Sequence, residues 1–216
     1  MGERIASDQR AYWNRVAAEK EFTHPFDVEL FARHVPRDVR VLDLGCGSGR
    51  LGDVLFARGW RRYVGADTAE EMIALARGKS PALDLRAIAP GPLPWADETF
   101  GAVLLFSVLT CVPGDLEEDQ LLAEVWRVLK ADGVVYLSDL LLQEDERNRA
   151  RYAAGERRFG SYGVFDLPEG VVLRHFTRER IDELTLGFEW HAFERIEVVT
   201  MNGNAAHGFQ LLAKKR

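Results

Sequence analysis

The sequence predicts an α/β protein: a mainly parallel sheet with helices on both faces, ending in an antiparallel β-hairpin. Three observations predict it. Short apolar runs alternate with amphipathic segments from Val39 onward, the run at 41–44 leads directly into three alternating glycines and a helix, and two late strand-like runs are joined by Met201-Asn202-Gly203-Asn204. A chain of 216 residues is long enough for one domain with a substantial core. Its 47% hydrophobic and 29% charged residues exclude the disordered, collagenous and fibrous classes.

The elements follow in order. Two helices, at 8–19 and 27–34, are joined by Glu21-Phe22-Thr23-His24-Pro25 and form an N-terminal helical lid over 1–38. The βα core, 39–143, has strands at 39–44, 62–66, 83–88, 102–106 and 134–139 and helices at 50–58, 69–77 and 117–129. Thr68 with Glu71, and Asp115 with Glu118, have the spacing of an N-cap residue and its reciprocal carboxylate. Residues 144–176 are charged and aromatic, break the βα rhythm, and read as a substrate-side insertion able to cover a pocket. Within 177–216, a helix capped by Thr177 and closed by Gly187 precedes strands at 193–200 and 207–213.

Charge and composition narrow the partners. With 28 Lys and Arg against 34 Asp and Glu, the net charge of -6 gives no global attraction to nucleic acid or to an anionic bilayer. The longest apolar stretch, 102–113, is shorter than the roughly 20 residues of a membrane-spanning helix. The N-terminal residues lack a basic start followed by an apolar core, so no signal peptide is expected, and two cysteines suit a reducing, cytoplasmic setting. His24, His34, His175, His191 and His207 have no paired spacing with Cys, Asp or Glu, so no metal site is expected.

The sharpest signal is Asp43-Leu44-Gly45-Cys46-Gly47-Ser48-Gly49. Glycines there permit positive φ and close approach of a ligand to the backbone, and the helix beyond presents free N–H donors. The run from Gly47 to Gly52 also meets the spacing of a dinucleotide fingerprint, which keeps a nicotinamide-dependent oxidoreductase open as a reading. Asp43 argues against a diphosphate, because a carboxylate beside the loop repels phosphate and welcomes a cationic ligand group. Asp67 ends the next strand, where a carboxylate accepts hydrogen bonds from ribose hydroxyls. Cys46 reads as a small loop residue, and Cys111, after the fourth strand, as a pocket-lining one without a basic partner to activate it.

These residues resemble the class I S-adenosylmethionine-dependent methyltransferases. The loop from Asp43 to Gly49 is similar to the family's first motif and Asp67 to its ribose-binding acid. Leu93-Pro94-Trp95-Ala96-Asp97-Glu98-Thr99-Phe100, the strand ending at Phe106-Ser107, and the passage from Val125 to Gly133 extend the match. The resemblance implies a Rossmann-like sheet of seven strands with the last one antiparallel, and S-adenosylmethionine as cofactor. It implies cofactor contacts from Asp43, Gly45, Cys46, Gly47, Gly49, Asp67, Thr68, Met72, Ala89, Pro90 and Ser107. The sequence departs from the pattern at Ala89, where many members carry an Asp, and at Gly101, where an Asp is also frequent. Pro90 has no N–H to offer, so adenine is expected to rest on apolar walls from Met72 and the segment 89–93.

The substrate side is built from the flanking segments. Tyr12 and Trp13 either close over the methionine end of the cofactor or pack on the sheet; His24 is a base, a substrate ligand or a lid anchor. Tyr152, Arg157, Arg158, Tyr162, Phe165, Asp166 and His175 suit a pocket for a small polar or aromatic molecule, with Tyr152 and Tyr162 as contacts and His175 as a second catalytic candidate. The charge run at 144–158 reads as an exposed helix face. The expected activity is methyl transfer to a small molecule by a monomer or homodimer, with protein methylation and a non-catalytic binding protein as alternatives.

Overall fold

The computed structural model describes residues 9–20 and 23–216. The start of the first expected helix and residues 21 and 22 of the following connection lie outside the described residues. In chain order the elements are α1 (Arg10–Val16), α2 (Val28–His34), β1 (Val41–Leu44), α3 (Arg50–Ala57), β2 (Tyr63–Asp67), α4 (Glu70–Lys79), β3 (Asp84–Ala87) and β4 (Phe100–Phe106). A 3-10 turn at Leu109–Cys111 leads to α5 (Asp115–Val128) and β5 (Leu129–Leu140). Then come α6 (Glu146–Phe159), β6 (Val164–Asp166), β7 (Val172–Arg174), α7 (Arg178–Leu184), β8 (Phe188–Val199) and β9 (Ala205–Lys215).

Seven strands form one sheet in the order β3-β2-β1-β4-β5-β9-β8. The first five are parallel, and β9 and β8 close the far edge antiparallel. The order reverses between β1 and β4, and ligands of open α/β sheets bind at such a switch, beyond the C-terminal strand ends. Strand alternation splits the core into two layers. Leu42, Leu44, Val64, Val103 and Leu105 face one way, while Val41, Tyr63, Leu104 and Tyr136 pack with α2, α3 and α4 on the other face. Gly52 lets α3 settle on that second layer, since a Cβ there would lie 2.6 Å from the Tyr63 ring.

Several local expectations change. Thr68 does not cap α4; the N-cap is Ala69, whose N–H is taken by the Asp67 carboxylate at 2.9 Å. Asp115 is already inside α5, after Gly114, and Glu118 turns away from the helix start to meet arginines of other elements. Thr177 does cap α7, accepting from Arg180 N at 3.1 Å, but the helix ends at Thr185. Gly187 serves packing instead: a Cβ there would stand 2.9 Å from the Trp126 ring. Gly101 has a similar reason, because a Cβ would meet Val39 at 2.7 Å beside the irregularity in β4.

The segment 144–176 contains more order than its composition suggests. Asp145 caps α6 by accepting from Asn148 N at 3.1 Å, and Gly160 ends it in the left-handed region at φ +81°. Helix α6 rests on the small antiparallel pair β6–β7, with Gly155 so close that a Cβ would overlap the Val164 carbonyl at 1.8 Å. The pair is tied to α5 and α7 through Glu118, a fully buried carboxylate 3.1 Å from Arg174 of β7 and 3.0 Å from Arg180. Removing one partner of a buried ion cluster leaves charge unpaired in low dielectric. Glu118→Ala is therefore expected to lose about 3 kcal/mol in urea unfolding; a loss below about 1 kcal/mol would show that Asp115, Asp119 and water satisfy both arginines.

Candidate active site

The glycine loop is pinned to the end of β2. Gly45 N and Cys46 N both donate to the Ala66 carbonyl, at 2.7 and 3.0 Å, and Gly47 N donates to Asp67 Oδ2 at 2.9 Å. Gly45, Gly47 and Gly49 have φ of +73°, +50° and +83°, a region that side chains disfavour. At Gly45 space matters too, because a Cβ would lie 2.4 Å from Val108. The loop thus presents bare backbone, and Gly49 hands the chain to the N-terminus of α3.

Asp67 keeps one lone pair on each oxygen after accepting from Gly47 and Ala69, so it can still receive two hydroxyl donors. Burial raises its pKa, opposed by the backbone N–H groups of Ala69, Gly47 and Thr68. Asp43 differs from expectation. Alternation in β1 sends its side chain to the α3 face, where it is buried and accepts from the Tyr63 hydroxyl at 2.8 Å. Burial pushes its carboxyl up to about 7, and through the Tyr63 hydroxyl it braces the base of the loop. Met72 is also not an open wall: it lies behind Ala17, Ala69 and Trp13, as α1 docks on α4. Asn14 of α1 accepts from Glu71 N at 3.1 Å, which holds that docking. Ala89 and Pro90 are both exposed, beyond a half-buried Ile88 whose N–H donates to the Asp67 carbonyl at 2.9 Å.

A cavity of about 830 Å³, open mouth included, begins where this region ends. Its inner wall is Ser107, at the end of β4 with φ +59°, followed by Thr110 and Cys111. Ser107 adjoins Val108, the residue against which Gly45 packs, so the loop and the cavity meet at the switch point of the sheet. Trp13 of α1 forms one side; Arg147, Asn148 and Arg151 of α6, with Phe165 and His175, form another; residues 199–206 at the hairpin tip close the top. The tip is fastened to the lid, with Lys20 Nζ donating to Asn202 at 2.5 Å and the Thr23 hydroxyl donating to the Val199 carbonyl.

The two histidines anticipated from sequence, His24 and His175, line this one cavity. His24 Nδ1 is 3.1 Å from the Ser138 hydroxyl, and its carbonyl accepts from Arg50 at 2.7 Å. Burial, then the Arg50 guanidinium, lowers its pKa to about 4. His175 is oriented by a relay: Gln143 N–H donates to the Tyr152 hydroxyl at 3.1 Å, and that hydroxyl is hydrogen-bonded to His175 Nδ1 at 2.6 Å. This bond to Nδ1 fixes the ring's orientation in the cavity wall. Burial, then Arg151, lowers its pKa to about 3.

The aromatic candidates separate. Trp13 lines the cavity, whereas Tyr12 and Tyr152 are buried behind it. Tyr162 is 43% exposed outside the lining, and Arg158 pairs with Asp166 at 2.7 Å. The run 144–158 was read as a solvated face, yet its Arg147-Asn148-Arg151 side meets the cavity; the i, i+4 spacing of the two arginines was the available signal. Cys111 lines the cavity and burial drives its thiol pKa well up, which keeps it unreactive. Among the described residues no group of three or more His, Cys, Asp and Glu side chains is gathered as for a metal, and no helix is long and apolar enough to cross a membrane.

A family model described as a methyltransferase domain matches residues 42–137. A solved S-adenosylmethionine-dependent methyltransferase from Methanosarcina mazei superposes with a TM-score of 0.81 at 26% identity, covering 89% of this chain and 98% of that one. Residues 42–137 thus match a methyltransferase domain, and the chain as a whole is similar to S-adenosylmethionine-dependent methyltransferases. Among curated members of the family, a ubiquinone biosynthesis O-methyltransferase from Rhizobium rhizogenes is 33% identical over 62% of this chain and 51% of its own length. A trans-aconitate 2-methyltransferase from Variovorax paradoxus is 34% identical over 54% of this chain and 44% of its own. The chain thus spans about half the length of these relatives.

Both cavity imidazoles should stay uncharged down to about pH 5 in heteronuclear NMR of the histidine rings. The unfolded chain binds protons below its ordinary imidazole pKa of about 6.5, whereas the folded rings refuse them until about 4 and 3. Each histidine therefore subtracts stability as the pH falls through that window; a ring titrating near 6.5 would contradict the burial.

Proposed function

We propose that this chain uses S-adenosylmethionine to methylate a small molecule held in the cavity beyond Ser107. The observation that carries the reading is the meeting of loop and cavity, with Gly45 against Val108 and Ser107 forming the cavity's inner wall. The residues suit the cofactor where backbone and Asp67 are concerned: three left-handed glycines leave the loop open, and Asp67 retains acceptor capacity for ribose hydroxyls. Adenine would rest on apolar contacts near 88–93, without a carboxylate at Ala89. When bound, S-adenosylmethionine supplies a methyl group already activated on a sulfonium.

The protein's own contribution is then placement. Trp13, the hairpin tip and α6 exclude water from the acceptor, and holding two reactants in register is worth about 7–11 kcal/mol. His24 is the remaining candidate to accept a proton, but the burial that keeps it neutral makes it a weak base. A small acceptor is favoured over a peptide because Trp13, α6 and the hairpin tip enclose the cavity on several sides. The two curated relatives, one named for ubiquinone biosynthesis and one for trans-aconitate, support the same class.

Calorimetric titration with S-adenosylhomocysteine tests the cofactor. Asp67→Ala should weaken binding about 10- to 100-fold, the loss of hydrogen bonds to a charged group, with far-UV circular dichroism unchanged; equal affinity would refute the ribose assignment. Labelled methyl transfer should reach a small-molecule pool, and label found only on protein would replace the reading with protein methylation.

A further inference from the structure

We propose that the cavity recognises its small molecule through a carboxylate on an apolar body, and that Arg151 is the residue that pairs with that carboxylate. This rests on the reading of the cavity as the acceptor site. The first argument is charge. In a chain of net charge -6, the cavity lining contains two arginines and no aspartate or glutamate. Arg151, half-buried on α6, donates to Asn148 Oδ1 at 3.3 Å and lies 4.8 Å from the centre of the Phe165 ring; among the described residues no carboxylate is within salt-bridge distance of it. Arg147 is partly neutralised, with Asp145 at 3.9 Å and Asn204 at 3.0 Å. A half-buried guanidinium without a counter-ion presents an unused planar fork, the geometry that matches a carboxylate.

The second argument is the surrounding donors. His175, beside Arg151 in the lining, is held through Nδ1 by the Tyr152 hydroxyl at 2.6 Å, and Asn148 and Asn202 bring neutral amide groups to the same lining. The buried Asp139 is not in the lining, and its oxygens are taken by Thr110 N and Leu140 N at 3.1 and 2.9 Å. The third argument is what the cavity lacks. Neither imidazole is a strong base at neutral pH, and no lining carboxylate can take a proton. A ligand that arrives ionised needs none removed. Phe165, Leu167, Leu173 and Met201 make the remainder apolar, so a monoanion with a flat hydrophobic body fits better than a phosphate dianion.

The test compares cinnamate with cinnamamide, which share a body and differ in charge, by calorimetric titration of the full chain saturated with S-adenosylhomocysteine. The wild type should prefer cinnamate by about tenfold or more, and the preference should shrink as salt is raised. Arg151→Gln should bring the two ligands within about twofold, Arg151→Lys should restore part of the preference, and Arg147→Gln should cost less than Arg151→Gln. Thermal melting of each variant guards against a folding defect, and the Lys variant keeps the packing on Phe165. No preference in the wild type, no binding of cinnamate, or a preference that survives Arg151→Gln would overturn the proposal. The two readings fail separately: S-adenosylhomocysteine binding without anion preference removes only this inference, while an Arg151-dependent preference in a protein that binds no S-adenosylhomocysteine keeps the anion site and removes the methyltransferase reading.

Discussion

The ends of β1 and β2 are joined by one carbonyl and one carboxylate, and the site depends on that junction. Ala66 O receives two loop N–H groups and Asp67 receives a third, so the glycine loop is held down by the strand beside it. Each bond is worth only about 1 kcal/mol net, but leaving those groups unpaired at a buried strand end would cost more. With the loop fixed, Arg50 at the start of α3 reaches the His24 carbonyl, and through it the lid is registered against the cofactor side. The lid in turn carries Trp13, which touches the Met72 cluster on one side and the cavity on the other. A short chain of hydrogen bonds and side-chain packing therefore sets the distance between the glycine loop and the cavity.

Much of this was legible in the sequence because it is local. The glycine loop, Asp67 and the parallel strands each occupy a few consecutive residues, and their periodicity states which is which. The direction of Asp43 was not legible, because it depends on which face α3 covers and on Tyr63 one strand away. Thr68 and Asp115 had cap spacing, but Asp67 already supplied the donor's partner in one case, and in the other Glu118 was drawn to arginines 56 and 62 residues later. The cavity is assembled from Trp13, Ser107, Arg151, His175 and Ala206, whose separation in sequence hides their proximity. Strands β6 and β7 are three residues each, too short for alternation to declare them.

The histidines show how the two kinds of reading complement each other. Sequence identified His24 and His175 as unusual, yet only the structure distinguishes them, through a serine hydroxyl in one case and a tyrosine relay in the other. The relay begins at the main-chain N–H of Gln143, whose side chain also spans Leu141, His207 and the end of β9. The orientation of His175 is thus inherited from the sheet end at Gln143 through Tyr152 of α6.

The outer strands carry a different consequence. Strand β3 is four residues long and exposes an Asp84–Arg86 ion pair, while β8 turns Glu189, Glu194, Arg195 and Glu197 to solvent. An open sheet offers unpaired peptide groups at both borders, and a second chain would find them a template for pairing. Here any approaching strand meets a ridge of charge on one side and a very short ladder on the other. The same residues that blurred the hydrophobic signature of β8 thereby protect the sheet against growing edge to edge into aggregates.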